Sequence, residues 1–399
     1  MTSDQDPEIQ SGTTPGITGS PITRRRLLGL GLVGAATGLA HRLSGQAPAG
    51  GATAAAPAPA ADPGVIILNA RPLDAEAPIS ALRTLETPLD NFFVRSHNGP
   101  PAQIPTNWTL TIDGEVETPL VLSLEEIRAL PSIRRLVTTE CCGNGRGRYR
   151  LPNTGGVQWG LGAVSSATWT GVPLSTLLQR AGAKDTALHF WMEPLDRGVL
   201  PGAPTFLRSL ARDSAMSDAM VAYQMNGKPI PLLYGGPLRL IMPGWFGMAS
   251  TKWLTHVHAR TTESDNSYMA KGYRYPDGTP VQRLGVKSLI TTPLEGERLA
   301  AGTVRVSGTA WTGTGTIDKV ELSSDGGRSW TPAKFTSSAQ PGAWRLWEAD
   351  VAIDAPGEHS VLARATDSEG HVQPLQAASN PGGYANNSIH EVRFYATRA

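Results

Sequence analysis

The run Val304-Arg305-Val306-Ser307-Gly308-Thr309-Ala310-Trp311 alternates between side chains suited to a core and side chains suited to water. Successive side chains of a strand point to opposite faces, so a period of two predicts a half-buried β-strand. The same rhythm returns in Lys319-Val320-Glu321-Leu322-Ser323, in Trp344-Arg345-Leu346-Trp347 and in Ser360-Val361-Leu362-Ala363-Arg364-Ala365. Turn formers such as Asp325-Gly326-Gly327 separate these runs. Short alternating strands at this spacing predict an all-β, immunoglobulin-like sandwich over residues 286–399.

Upstream, residues 64–283 mix the two periodicities. Trp108-Thr109-Leu110-Thr111-Ile112-Asp113-Gly114 alternates and closes on Asp-Gly, a strand running into a turn. Ser123-Leu124-Glu125-Glu126-Ile127 places a capping serine before acidic first-turn residues and opens a short helix. Pro173 to Arg180 and Pro204 to Met216 predict two further helices, and Val221-Ala222-Tyr223 and Leu238-Arg239-Leu240-Ile241-Met242 predict strands. The fold class expected is therefore α+β, a mixed α/β domain followed by the sandwich.

Residues 1–60 differ from both. Thr23-Arg24-Arg25-Arg26-Leu27-Leu28 opens a short apolar, glycine-rich run to Ala40, and Ala/Pro-rich sequence follows from Gln46 to Pro63. Consecutive arginines before a mildly apolar segment predict a twin-arginine export signal, cleaved near residues 49–60, and hence a periplasmic protein. The whole chain of 399 residues has a formal net charge of +1, which argues against nucleic acid or a membrane surface as partner. No stretch approaches the ~20 apolar residues that span a bilayer. The 44 glycines and 32 prolines favour a turn-rich, strand-heavy fold over a helical bundle.

Thr138-Thr139-Glu140-Cys141-Cys142-Gly143-Asn144-Gly145-Arg146 holds the chain's only two cysteines, side by side. Neighbouring Cα atoms lie too close together for an ordinary disulfide, and too few ligands are present for a zinc finger. Two readings remain from spacing alone: inert core filler, or a thiolate on a turn serving as a soft metal ligand or nucleophile.

Six ordered blocks resemble the sulfite oxidase family of molybdenum–molybdopterin enzymes. They are Phe92-Phe93-Val94-Arg95-Ser96-His97, Glu140-Cys141-Cys142-Gly143-Asn144, Trp159-Gly160-Leu161-Gly162-Ala163, Ala222-Tyr223-Gln224-Met225-Asn226-Gly227, Pro243-Gly244-Trp245 through Trp253, and Asn380-Pro381-Gly382-Gly383-Tyr384-Ala385-Asn386-Asn387. The resemblance implies Cys141 as the molybdenum ligand, with Cys142 a packing neighbour. It implies a pterin cradle of Phe93, Val94, Arg95, Ser96, His97, Asp196, Tyr234, Arg239, Ser250, Thr251 and Lys252. Tyr234 stands where the family often has histidine. Arg95, Arg146, Trp159 and Tyr273 are the implied substrate-site residues, and Gly382 stands where animal and plant members carry a third arginine.

By the same resemblance the chain is expected to oxidise sulfite to sulfate with one Mo-molybdopterin per chain. The alternatives are a sulfane-sulfur dehydrogenase of a thiosulfate-oxidising system, or another oxygen-atom transfer on a small sulfur compound. The sequence has no Cys-x-x-Cys-His haem motif, so no haem is expected in this chain and electrons are expected to pass to a periplasmic c-type cytochrome. The sandwich resembles the family's dimerisation domain, which implies a homodimer.

Overall fold

Strand Gly302–Trp311 buries Val304, Val306 and Ala310 on one side and pairs antiparallel with strands on both flanks. In a computed structural model that describes residues 64–149, 154–196 and 202–398, it is an inner strand of a sheet ordered Lys287–Thr292, Gly302–Trp311, Arg345–Ile353, Lys334–Phe335. The facing sheet runs Arg298–Ala300, His390–Thr397, Gly357–Asp367, Ile317–Ser323, Thr331–Pro332. The inward set, with Ile290, Val306, Val320, Trp347, Val361 and Phe394 among it, packs into one core between the two sheets. All four alternating runs of the sequence fall in these strands, except that Trp344 lies one residue ahead of Arg345–Ile353. Gly308 makes the layer possible: a Cβ there would sit 2.1 Å from the Leu289 carbonyl oxygen and 2.4 Å from the buried Trp347 indole.

The preceding part contains a two-stranded ribbon, Ile66–Ala70 with Leu73–Glu76, and two five-stranded sheets. One orders Lys228–Pro229, Met220–Met225, Val164–Pro173 and Ile133–Glu140, with Arg239–Ile241 also pairing Met220–Met225. The other orders Leu120–Ser123, Thr109–Gly114, Leu254–Arg260, His189–Pro194 and Arg208–Ala211. Short helices fill the connections. Helix Leu124–Arg128 starts with the expected cap, the Ser123 hydroxyl accepting from the Glu126 amide while the Glu126 carboxylate accepts from the Ser123 amide. Helix Leu174–Arg180 buries Leu174, Leu177 and Leu178. Among the described residues no helix is long and apolar enough to cross a membrane.

The helix expected over Pro204 to Met216 is not formed as such. Residues Arg208–Ala211 are a strand paired with His189–Met192, and a helix covers only Arg212–Ser217. An available sheet edge overrides local propensity here, because pairing buries Leu210 against Phe190. The export signal and linker expected over 1–60 lie outside the described residues.

The sandwich grips the strand that leads to the cysteines. The Thr138 amide donates to Gly342 O at 2.9 Å, and the Trp344 amide donates to the Thr138 hydroxyl at 2.7 Å. Lys287 and Trp311 of the sandwich both bond the Glu140 carboxylate, at 2.8 Å each.

Candidate functional site

Strand Ile133–Glu140 ends immediately before Cys141, and its last side chain is the anchor. The Glu140 carboxylate is buried and holds three donors: the Lys287 ammonium, the Trp311 indole and the Asn144 amide at 2.9 Å. Asn144 in turn accepts from the Ala163 amide, and its own amide donates to Cys141 O. Gly145, at φ 83°, turns the chain into a 3-10 turn over Arg146–Arg148. The Cys141 sulfur is thereby fixed at a strand end beside a glycine turn. Cys141 lines a solvent-connected cleft of about 720 Å³, and Cys142, 3% exposed, reaches its edge from the core. A hydrogen bond from Cys142 pulls the Cys141 thiol below its ordinary value, helped by the Gly143 amide and by Arg95 and Arg146. Burial pushes the Cys142 thiol the other way. One of the pair is therefore the better thiolate.

One wall of the cleft is a hydrogen-bonded chain. Arg95 is tied to the buried carboxylate of Asp74 at 2.9 Å and donates to His97 Nδ1 at 3.0 Å. His97 Nε2 lies 2.5 Å from the Tyr273 hydroxyl. Burial, with the charges of Arg95 and Arg208, holds the His97 imidazole down to about 3, so the ring is neutral. A neutral ring that accepts at Nδ1 carries its proton on Nε2 and donates to the tyrosine oxygen. Tyr273 occupies the left-handed region at φ 58°, a strain that non-glycine residues rarely carry outside functional sites. Burial raises its phenol well above the ordinary tyrosine range, so it keeps its proton.

The opposite end is cationic. Arg239 is 4% exposed, donates to Tyr234 O at 2.9 Å, lies over the Trp169 ring, and has no partner for Nε. Burial draws it down to about 10. Lys252 donates to the Ser96 hydroxyl and Leu233 O, each at 3.1 Å, and burial with the nearby Arg239 charge lowers it strongly. Neither cation has an ion-pair partner among the described residues. Two such charges cost several kcal/mol to bury and call for an anion.

These observations test whether a phosphorylated pterin carrying a metal fits. The two buried cations suit its phosphate, and Phe93, Ser96 and Asp196 line the cleft between them and Cys141. Among the described residues no group of three or more His, Cys, Asp or Glu forms a metal cluster. A single thiol therefore suits a metal whose other ligands arrive with the cofactor. The group fits.

Of the residues expected from sequence, Phe93, Arg95, Ser96, His97, Cys141, Asp196, Arg239, Ser250, Lys252 and Tyr273 all line this one cleft. Five do not. Val94 is buried and spends its backbone on a bridge to Ala75. Tyr234 turns its hydroxyl to Leu89 O at 2.6 Å, so it buttresses the Phe92 loop rather than facing a ligand. Thr251 is buried off the cleft, its hydroxyl unpartnered. Trp159 is 1% exposed within the core around Phe92 and Phe93. Arg146 is held by Gly382 O at 3.1 Å and Val157 O at 2.9 Å, with its guanidinium 5.6 Å over the Tyr384 ring. Sequence reasoning missed Phe206 and Met248 in the cleft lining and Arg208 behind it. Arg208 fell inside the expected helix, and only its strand pairing turns it toward Tyr273.

The chain also resembles proteins of a known family. Residues 97–268 match the family described as oxidoreductase molybdopterin binding domain, and residues 278–397 match the Mo-co oxidoreductase dimerisation domain. Sulfite oxidase of Gallus gallus is 33% identical over 346 residues, covering 80% of this chain and 75% of that protein. The mitochondrial sulfite oxidase of Homo sapiens is 31% identical over 367 residues, covering 85% and 67%. The crystal structure of the sulfane dehydrogenase SoxCD from Paracoccus pantotrophus superimposes with a TM-score of 0.72 at 31% identity, covering 80% of this chain and 83% of that one. The chain thus belongs to the sulfite oxidase family of molybdopterin oxidoreductases.

Proposed function

We propose that this protein is an exported molybdenum enzyme that oxidises sulfite to sulfate and passes the electrons to a c-type cytochrome. The observation that carries the reading is the single cleft that joins a lowered cysteine thiol, two unpaired buried cations and the Arg95–His97–Tyr273 chain. Cys141 would hold the metal, and Arg239 and Lys252 would hold the pterin phosphate. The bound cofactor supplies oxygen-atom transfer and takes up two electrons. Water provides the fourth oxygen of sulfate, so two protons leave with each turnover.

The chain's own residues bind and orient the anion. Arg95, braced by Asp74, offers its guanidinium at the cleft wall. Tyr273 accepts from His97 Nε2 and so presents its own O–H to an oxyanion in the cleft. His97 stays neutral and fixes that direction. Arg146 works one layer back, holding Gly382 and Val157. The sandwich is read as the homodimer interface, in keeping with the description of the family that residues 278–397 match. The arginines at 24–26 are read as a twin-arginine signal to the periplasm.

A second reading, sulfane-sulfur dehydrogenation, draws support from the SoxCD likeness and from Gly382 in place of an arginine. The discriminating experiment is metal analysis of the purified protein, followed by reduction of cytochrome c with sulfite or with a protein-bound sulfane as donor. Molybdenum with sulfite-dependent reduction supports the first reading. Molybdenum with turnover on sulfane sulfur alone moves the assignment to the second, and a protein that takes up no molybdenum contradicts both.

A further inference from the structure

Arg208 is 6% exposed and lies on strand Arg208–Ala211, behind the cleft wall. It donates one hydrogen bond, from Nη1 to Tyr268 O, and its buried Nε has no partner. No carboxylate pairs with it among the described residues. A buried arginine that serves packing alone satisfies most of its five donors and its charge; this one satisfies neither. Its guanidinium carbon lies 5.2 Å from the centre of the Tyr273 ring, and its charge is felt at His97 and at both Tyr273 and Cys142.

The position at which residue 382 would supply a third cation is closed. A Cβ on Gly382 would meet the Tyr384 ring at 2.2 Å, and the Gly382 carbonyl is taken by Arg146. Tyr384 itself packs 5.8 Å from Tyr273 and lies beneath Arg146. Around Tyr273 the positive field therefore depends on Arg95 at the wall and on charges one layer behind it.

We propose that Arg208 is a positioning and specificity-determining residue of the anion site, supplying across the Tyr273 ring the positive charge that Gly382 lacks. This rests on the oxyanion reading of the cleft. An unpaired cation behind a phenol strengthens the O–H as a donor and favours a doubly charged ligand over a singly charged one. Its single hydrogen bond to Tyr268 O also ties it to helix Ser267–Ala270, which precedes Tyr273.

The test uses holoenzyme with wild-type, Arg208→Met and Arg208→Lys, matched for molybdenum content. Sulfate binding is measured by calorimetry at fixed ionic strength, alongside sulfite KM and kcat. Arg208→Met is expected to weaken sulfate binding and raise KM by about tenfold, equivalent to ~1.4 kcal/mol, with kcat within about threefold. Arg208→Lys, which keeps the charge, is expected to restore sulfate binding to within about threefold. Sulfate binding in Arg208→Met within twofold of wild type overturns the proposal, as does equal loss in both variants, which marks a purely structural role. A wild type that binds sulfate without oxidising sulfite sinks the sulfite reading and leaves the Arg208 comparison readable.

Discussion

Removing the Lys287 ammonium tests how the sandwich holds the loop that carries Cys141. Lys287 and Glu140 lie 2.8 Å apart with side chains 3% and 4% exposed, and they are 147 residues apart in the chain. Lys287→Met leaves a buried carboxylate without its cation, a change that costs ~3–5 kcal/mol when the charge is orphaned. Here the Trp311 indole and the Asn144 amide remain as neutral donors, at 2.8 and 2.9 Å. The expected loss is therefore at the lower end, about 3 kcal/mol. Lys287→Met/Glu140→Gln removes both charges and is expected to recover about 2 kcal/mol of the loss. The assay is urea unfolding of holoprotein, with molybdenum content measured on the same samples. Reduced metal content in the single variant is expected, since Glu140 directly precedes Cys141. A loss under ~1 kcal/mol, or a double variant whose loss equals the sum of the singles, would refute the reasoning.

Other outcomes follow from the same structure. Lys252→Met removes a buried cation that has no ion-pair partner among the described residues. It is expected to cut pterin content about tenfold while making cofactor-free protein no less stable, and a lower unfolding temperature for the cofactor-free variant than for cofactor-free wild type would contradict this. His390, 8% exposed, accepts from the Ile290 amide at 3.1 Å and is held down to about 3, chiefly by burial. Its folded value lies below its unfolded one, so the stability it contributes is complete above about 6.5. That stability is lost at ~1.4 kcal/mol per unit as pH falls toward 3. His390→Asn should flatten the stability profile between pH 6.5 and 4.5, and an unchanged slope would count against this burial argument.

Different parts of the molecule were legible in the sequence for different reasons. The sandwich strands were readable because one face of each is buried and the other wet, which writes a period of two into Val304–Trp311 and Ser360–Ala365. The Ser123 cap was readable because a capping box is a purely local arrangement. Arg208–Ala211 was not, since a four-residue strand at a sheet edge is decided by its partner His189–Pro194 rather than by its own residues. The cleft shared by Arg95, His97, Cys141, Lys252 and Tyr273 was approached only through ordered blocks, because nothing local places residues 95 and 273 on one wall. The positions of Arg146, Trp159 and Tyr234 behind that wall depend on carbonyls at 382, 157 and 89, contacts that no spacing rule contains. The Glu140–Lys287 pair and the unpaired Arg208 were likewise invisible, being properties of burial rather than of pattern.

The most direct test of the central claim is molybdenum X-ray absorption on holoprotein carrying Cys141→Ser beside wild type and Cys142→Ala. Cys141 as the protein ligand requires that the serine variant lose one sulfur scatterer from the metal shell while the Cys142→Ala spectrum keeps it. An unchanged sulfur shell in Cys141→Ser, or its loss in Cys142→Ala instead, would contradict the assignment of the site.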